Sequence, residues 1–110
     1  MIPAPPVRVV LTTAANSEEA ERLGRILVEE RLAACATLIP GAQSIYRWQG
    51  RVESTAEALL LLKTGPEQLD RLEARLHELH SYDSPEFLVL GVEGVSPRYL
   101  DWLQSNLGGA

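Results

Sequence analysis

A chain of 110 residues is long enough for one domain only, and its 45% apolar and 23% charged residues are typical of a folded globular protein. The formal net charge of -5 repels a phosphate backbone, and the basic residues do not cluster in sequence, so we expect no nucleic-acid partner. No apolar run approaches the roughly 18 residues needed to cross a bilayer, and the one cysteine excludes an internal disulfide, so we expect a cytoplasmic protein without membrane insertion.

The predicted elements begin after a short N-terminal segment. Residues 1–6 read MIPAPP and lack the apolar stretch of a secretory signal, so we interpret them as a loose tail before a single domain spanning 7–107. The β-branched run Val7–Ala14 predicts a first strand. A side-chain oxygen within Asn16–Ser17 is suited to cap a first helix, which we expect to continue to about Leu32.

The middle of the chain reads as a long hairpin. The apolar stretch Cys35–Trp48 predicts a second strand, which Pro40–Gly41 must bend or bulge because proline donates no ladder hydrogen bond. Gln49–Gly50 is suited to a tight turn, since glycine accepts a positive φ. The third strand, Ala56–Thr64, carries an unbroken run of leucines that indicates burial on both faces.

The last third of the chain repeats the helix and strand pattern. Pro66 opens a second helix with leucines three and four residues apart, Phe87–Val92 predicts a fourth strand, and Ser96–Pro97 starts a short final helix. The order is therefore β-α-β-β-α-β with an extra C-terminal helix. This predicts the α+β class and a ferredoxin-like sandwich.

One face of this predicted sheet has no cover. Right-handed crossovers place both long helices on the same face, and one short terminal helix is too small to shield the other. Yet strands one, three and four are apolar at nearly every position, whereas a sheet with one solvated face alternates apolar with polar residues. We therefore expect the uncovered faces to meet in a homo-oligomer.

The strong enzyme and cofactor motifs are missing, among them the Walker loop, G-x-G-x-x-G, G-x-S-x-G, H-E-x-x-H and C-x-x-C. What remains is a set of polar and aromatic residues at strand ends: Tyr46, Trp48, Lys63, His80, Tyr82, Glu86 and Trp102. Tyr46 and Trp48 are two residues apart and therefore point to the same side of a strand. They are suited either to stack against a ligand or to pack in an interface or core. Lys63, the one lysine, could pair with a carboxylate such as Glu86, either in a polar binding pocket or, on an at least equal footing, as a structural ion pair.

Two residue types suit a transition metal. His77 and His80 lie three apart near the end of the second helix, with Glu73 one turn earlier, although such triples also occur on solvated helix faces. Cys35 stands in the apolar context LAACATL, where a free cysteine usually behaves as a small buried hydrophobe. His80 and Cys35 are the candidate metal ligands.

Four stretches of the sequence resemble the CutA family of divalent-cation tolerance proteins over nearly the whole chain. They are LVEERLAACATLIPGAQSIYRWQGRVE (27–53), LLLLKT (59–64), HSYDSPE (80–86) and YLDWL (99–103), in the expected order. The resemblance implies a ferredoxin-like fold, a compact homotrimer and an association with divalent cations, copper above all. By analogy of fold alone it also implies a likeness to trimeric PII-type signalling proteins.

The resemblance also marks family motif positions near the trimer clefts: Cys35, Tyr46, Trp48, Lys63, His80, Tyr82 and Glu86. The third motif departs from the usual H-P-Y-E-V-P-E, because Ser81, Asp83 and Ser84 replace the proline, glutamate and valine. Without the proline we expect a less rigid turn around His80 and Tyr82.

These features lead to several functional hypotheses. The first is a trimeric protein that binds Cu²⁺ or a similar divalent cation through His80, with Cys35 assisting for cuprous ion. The second is a PII-like sensor or scaffold whose intersubunit cleft binds a small anionic metabolite or a partner peptide near Lys63 and Arg47. An enzyme would need His80 with Glu86 as its base, and it ranks below both. An RNA-recognition module is excluded because LLLLKT lacks base-stacking aromatics.

Overall fold

The computed structural model describes residues 1–109. A three-residue 3₁₀ turn at Pro66–Gln68 precedes the second helix. The helices and strands are β1 (Ile2–Pro3), β2 (Arg8–Ala14), α1 (Ser17–Glu29), β3 (Cys35–Trp48), β4 (Arg51–Thr64), α2 (Leu69–Leu79), β5 (Leu88–Gly91), β6 (Gly94–Val95) and α3 (Pro97–Ser105). The chain therefore has a mixed α+β fold.

The main sheet has four strands in the order β3-β4-β2-β5, and β1 and β6 form a second, two-stranded sheet. All neighbouring strands of the main sheet are antiparallel. β2 pairs with β4 from Arg8↔Thr64 to Ala14↔Ala58, so it covers only the second half of β4. The two centrally placed strands are thus β2 and β4, while β3 and β5 form the edges.

Only one face of the main sheet is covered by helices. On β4 the buried side chains Ala58, Leu60 and Leu62 pack with α1 and α2 into the main core. A second cluster, around Val7, Ala34, Leu100 and Leu103, attaches α3 at one end of the sheet.

The other face, here called the open face, carries the alternate residues of each strand. They include three that remain largely exposed in one chain, with relative accessibilities of 45% for Ile39, 52% for Leu88 and 47% for Leu90. Leu59 and Leu61 of β4 are half-buried on the same face. The expectation of an apolar face without helical cover is therefore confirmed for the single chain.

Helix α1 is bounded by clear capping interactions. Asn16 is the N-cap, and its Oδ1 accepts a hydrogen bond from the backbone N–H of Glu19 at 2.8 Å. At the other end the N–H groups of Arg31 and Leu32 bond back to Val28 and Leu27, each at 3.0 Å, which is the Schellman arrangement. The predicted end near Leu32 is too late because Arg31, with φ of 61°, occupies the left-handed position where glycine is the usual signal.

Both ends of the described chain are held in place. Ile2–Pro3 pairs with Gly94–Val95, so the prediction of a loose tail over residues 1–6 is wrong for that strand. The partner strand β6 was not predicted either, and a two-residue strand has no periodicity to reveal it. At the C-terminal end the Gly108 N–H donates to Arg31 O at 2.9 Å, which ties this end to the turn after α1.

The long hairpin extends beyond the rest of the sheet. Residues 42–48 and 51–57, here called the arm, pair only with each other, because β2 ends opposite Ala58. A register shift between Ile39 and Ala42 confirms the predicted bulge at Pro40–Gly41. Gln49 and Gly50 close the arm with φ of 49° and 79°, as a primed hairpin turn requires.

Removing the α1 cap tests this account of the helix. Asn16→Ala deletes the acceptor for Glu19 N–H, and we expect the free energy of unfolding to fall by about 1 kcal/mol. Denaturant unfolding at matched subunit concentration measures the change. Asn16→Ser, which keeps a capping oxygen, serves as the control and should lose only a few tenths of that amount, so equal losses in both variants would contradict a capping role.

Candidate functional site

Four of the predicted site residues fall into two groups at opposite ends of the main sheet. Cys35 and Lys63 lie directly across from each other at one end of the β3–β4 pairing. His80 and Tyr82 lie toward the base of the arm, where Tyr82 contacts Glu57. Glu57 is six residues from Lys63 along β4, so the two groups are separated by roughly 20 Å at about 3.3 Å per strand residue.

The first group surrounds the single lysine. Lys63 Nζ donates to Thr37 Oγ1 and lies 3.8 Å from Cys35 Sγ. Burial raises the pKa of Tyr99, and the neighbouring Cys35 raises it further. This group therefore combines an ammonium, a thiol and a phenol at the end of the sheet near α3.

The predicted ion pair between Lys63 and Glu86 is wrong. Within residues 1–109 no salt bridge joins them, and the Glu86 side chain is exposed. Only the backbone carbonyl of Glu86 is engaged, by the Thr12 hydroxyl. Lys63 pairs in register with Val9, three residues from Thr12, so β2 keeps the two side chains apart. His80 and Glu86 likewise share no hydrogen bond in the described chain.

His80 is buried and fully hydrogen-bonded. Its side chain has 0% relative accessibility. The distance from Nε2 to Thr13 O is 2.7 Å, and the Tyr82 N–H donates to Nδ1 at 3.0 Å. Because a carbonyl only accepts, the pair of bonds assigns the neutral tautomer with the proton on Nε2. A metal ion could bind this ring only after one of these bonds broke.

Glu19 anchors the loop that follows His80. Its carboxylate accepts from Ala15 N–H at 3.0 Å and Ser81 N–H at 2.8 Å, and Oε2 lies 3.9 Å from His80 Nδ1. Burial tends to raise the pKa of Glu19, but the hydrogen bonds from Ala15 and Ser81 hold the pKa below its ordinary value. Sequence reasoning missed this role, although an acid three residues after the capping Asn16 is a recognisable signal.

The Ser81 contact bears on the altered third motif. A proline at this position, as in the motif usual for the family, has no N–H to donate. Ser81 supplies that N–H to Glu19 and so ties the turn to α1 by a hydrogen bond. The expected loss of rigidity is thereby offset by an interaction that proline cannot make.

Glu57 is the centre of the second group. Tyr82 Oη donates to Glu57 Oε2 at 2.7 Å, and the nearby hydroxyls of Ser44 and Thr13 also favour the charged carboxylate. Burial favours a higher pKa, yet these donors hold the pKa of Glu57 below its ordinary value. Burial and then the Glu57 carboxylate raise the pKa of Tyr82. Glu57 was also missed, although it is an acid within the otherwise apolar run AEALLLL.

The remaining predicted residues stay apart from these groups or at their margin. Tyr46 lies on the arm, with its Oη 2.9 Å from Thr55 Oγ1. Trp48 is 60% exposed at the arm tip, opposite Arg51. His77 is exposed near the end of α2. Among residues 1–109 no three His, Cys, Asp or Glu side chains converge on a common metal position.

Comparison with known proteins decides the family. The family model described as CutA1 divalent ion tolerance protein matches residues 8–106. The chain belongs to the CutA1 family. The resemblance seen in the four sequence motifs is thereby confirmed.

Individual CutA relatives align over nearly the whole chain. The divalent-cation tolerance protein CutA of Thermus thermophilus is 46% identical over 100 residues, which cover 91% of this chain and 97% of the relative. The solved structure of CutA from Synechococcus elongatus has a TM-score of 0.93 at 42% identity, covering 97% of this chain and 95% of its own. The mixed α+β fold is thus shared with solved CutA structures.

Family membership does not establish a compartment. The chloroplastic CutA protein of Arabidopsis thaliana is 40% identical over 101 residues, which span 92% of this chain but 56% of the relative. In the described chain no helix has the length and apolar character needed to span a membrane. A cytoplasmic location stays a prediction.

The carboxylates of the site predict how stability depends on pH. A carboxyl group with a lowered folded pKa contributes stability above its unfolded pKa and loses it as the pH falls through the folded value. Glu57→Gln should therefore lower the free energy of unfolding by about 1 kcal/mol at pH 7, because bonds to a charged acceptor are the stronger ones, and lower it less at pH 3.

Denaturant unfolding between pH 7 and pH 3 measures this difference. Glu73→Gln, at an exposed position of α2, is the matched control and should follow the wild-type curve. If the free energy of unfolding of Glu57→Gln showed the same pH dependence as that of the wild type, the hydrogen bonds around Glu57 would have no energetic role.

Proposed function

We propose that this CutA1 family member is a ferredoxin-like homotrimer that takes part in divalent-cation tolerance and binds its cation where subunits meet. The observation that carries the proposal is the open face, which leaves Ile39, Leu88 and Leu90 in water in one chain. A contiguous apolar face of this kind on a folded chain marks an interaction surface. The antiparallel order β3-β4-β2-β5 supports the ferredoxin-like arrangement.

The cation is the part of the proposal that comes from the relatives. The Thermus protein is a divalent-cation tolerance protein, and copper is the first ion we would test. In one chain the two proposed ligands, Cys35 and His80, are too far apart to share a metal ion. Cys35 lies opposite Lys63 of β4, whereas Thr13, which bonds His80, lies opposite Leu59. Four strand residues, about 13 Å, separate those two positions.

We therefore propose that Cys35 and His80 act as ligands only in the assembled protein. Thiolate is a ligand preferred by cuprous ion and zinc, and imidazole suits Cu²⁺ and zinc. For His80 the accessible route is loss of the Tyr82 N–H bond to Nδ1, which frees that nitrogen. The Glu19 carboxylate lies 3.9 Å from this Nδ1 atom, and the His80 ring keeps its proton on Nε2.

A second candidate is a PII-like sensor or scaffold that binds a small anionic metabolite or a partner peptide in the cleft between subunits. Lys63 favours this candidate, because in the described chain its ammonium contacts a hydroxyl and a thiol but forms no salt bridge with a carboxylate. The exposed aromatic rings of Tyr46 and Trp48 are suited to line such a cleft. In both cases we propose a cytoplasmic protein.

Assembly is tested first. Light scattering should give a mass three times that of the 12.1 kDa chain. Leu61→Asp, which puts a charge on the open face, should produce monomers, whereas Ala74→Asp on the exposed side of α2 should leave the trimer unchanged. Circular dichroism checks that each variant is folded, and a folded monomeric wild type would overturn the proposal.

Metal binding is tested by titration calorimetry of Cu²⁺, and of Cu⁺ under reducing conditions. We expect His80→Ala and Cys35→Ser each to weaken binding of one of these ions at least tenfold. His77→Ala removes the other histidine and should bind as the wild type does. Equal affinities in all variants would reject both ligands, and thermal stabilisation by nucleotides or carboxylates without metal would favour the sensor.

A further inference from the structure

Cys35 and Lys63 are the one thiol and the one lysine of the chain, and the fold brings them together. They are register partners on β3 and β4, and side chains directly opposite each other in an antiparallel pair have Cβ atoms about 4.5–5.5 Å apart. Lys63 Nζ lies 3.8 Å from Cys35 Sγ. A nitrogen that can act as a nucleophile and a sulfur that can be oxidised are therefore neighbours at one end of the main sheet.

The backbone holds this pair in place. Lys63 belongs to a central strand and has Val9 of β2 as its partner on the other side. The Ala34 N–H, just before Cys35, donates to Lys63 O at 2.8 Å. Thr37, two residues along β3, accepts a hydrogen bond from Nζ, and its Oγ1 lies 3.9 Å from Sγ. The two side chains thus meet without any rearrangement of the main chain.

Neither reacting group is engaged in a stronger interaction. Within residues 1–109 Lys63 forms no salt bridge, so no carboxylate competes for its nitrogen. Cys35 is half-buried and forms no disulfide, so a small oxidant can reach the sulfur from solvent. Hydrogen peroxide is such an oxidant, and it converts a cysteine thiolate to a sulfenic acid.

We propose that peroxide oxidises Cys35 and joins it to Lys63 through a sulfur–nitrogen bond, a sulfenamide. In the first step the Cys35 thiolate attacks one peroxide oxygen and the O–O bond breaks. The departing oxygen takes a proton from the Lys63 ammonium and leaves as water. This step produces Cys–S–OH beside a neutral Lys–NH2, which is the nucleophilic form of the side chain.

The second step is a condensation of the kind that sulfenic acids undergo with nitrogen. The amine attacks the sulfur, the S–O bond breaks, and the hydroxyl group leaves with one amine proton as a second water. The sum is Cys–S⁻ + Lys–NH3⁺ + H2O2 → Cys–S–NH–Lys + 2 H2O, in which sulfur is oxidised and peroxide is reduced. An external thiol reverses the link by returning both side chains and forming its own disulfide.

The cross-link would act on both candidate functions. It removes the thiolate that we propose as a metal ligand and the cation that we propose for binding an anionic ligand. The inference itself does not rest on a trimer or on a bound ion, because both reacting groups belong to one chain.

Mass spectrometry of the peroxide-treated full-length protein tests the proposal. With peroxide equimolar to the chain we expect the intact mass to fall by two hydrogens and dithiothreitol to restore it. Proteolysis should yield a joined peptide that contains both Cys35 and Lys63. The loss of mass is measured on the wild type, so it does not depend on the folding of any variant.

Lys63→Arg is the matched control, because a guanidinium keeps the positive charge but lacks the amine that attacks sulfur. Its sulfenic acid should persist, so dimedone, which traps sulfenic acids, should label Lys63→Arg about five times more than the wild type. Cys35→Ser should show neither the loss of mass nor the label. Circular dichroism checks that both variants are folded.

Three outcomes would overturn the inference. A product heavier than the reduced chain, with oxygen retained, contradicts the condensation. Equal dimedone labelling of the wild type and Lys63→Arg contradicts the role of the lysine, and covalent dimers on a non-reducing gel contradict a link within one chain. The light scattering and metal titrations that test the proposed function use the reduced protein, so the two failures are distinguishable.

Discussion

The structure depends on a sheet that is apolar on both faces but has helices on only one. On β4 the alternation places Leu60 and Leu62 against α1 and α2, while Leu59 and Leu61 point the other way and remain half-buried. Burying apolar surface is the main favourable term in folding, so a single chain leaves part of that free energy unused. The open face and the arm are therefore related, since each carries apolar side chains that one chain does not cover.

The buried polar side chains beside this apolar sheet are stabilised by hydrogen bonds within the protein rather than by contact with water. Across residues 1–109 every buried side-chain nitrogen and oxygen has a partner. The His80 ring, Glu19 and Glu57 connect three segments that are far apart in sequence: the start of α1, the loop after α2 and the base of the arm. This network positions the loop, and that structural role accounts for its residues without any bound ligand. Chemistry at His80 therefore carries the added cost of breaking a bond that the fold uses.

Much of the fold was predictable because its signals are local. The bulge at Pro40–Gly41, the turn at Gln49–Gly50 and the cap at Asn16 each follow from the conformational preferences of one or two residues. The end of α1 was misplaced because Arg31 fills a position where glycine gives the usual signal. The site was less predictable. Glu57 and Glu19 gain their roles from partners brought together by tertiary packing, and the position of Lys63 relative to Glu86 depends on how far apart β2 holds them.

The bulge has a consequence for the side chains beyond it. Between Ile39 and Ala42 strand β3 advances by three residues while β4 advances by two, from Leu59 to Glu57. Side chains alternate strictly between the two faces along a regular strand. The extra residue therefore shifts this alternation by one for every β3 residue between the bulge and the hairpin tip. Tyr46 lies seven residues after Ile39, an interval that strict alternation would place on opposite faces, yet the bulge leaves both on the same face. Deleting one residue there would remove the bulge and keep the register from Ala42↔Glu57 onward, so Tyr46 and Trp48 would stay on the side they now occupy. A single-codon deletion at this point would thus straighten the projecting strand without altering which side chains each of its surfaces presents.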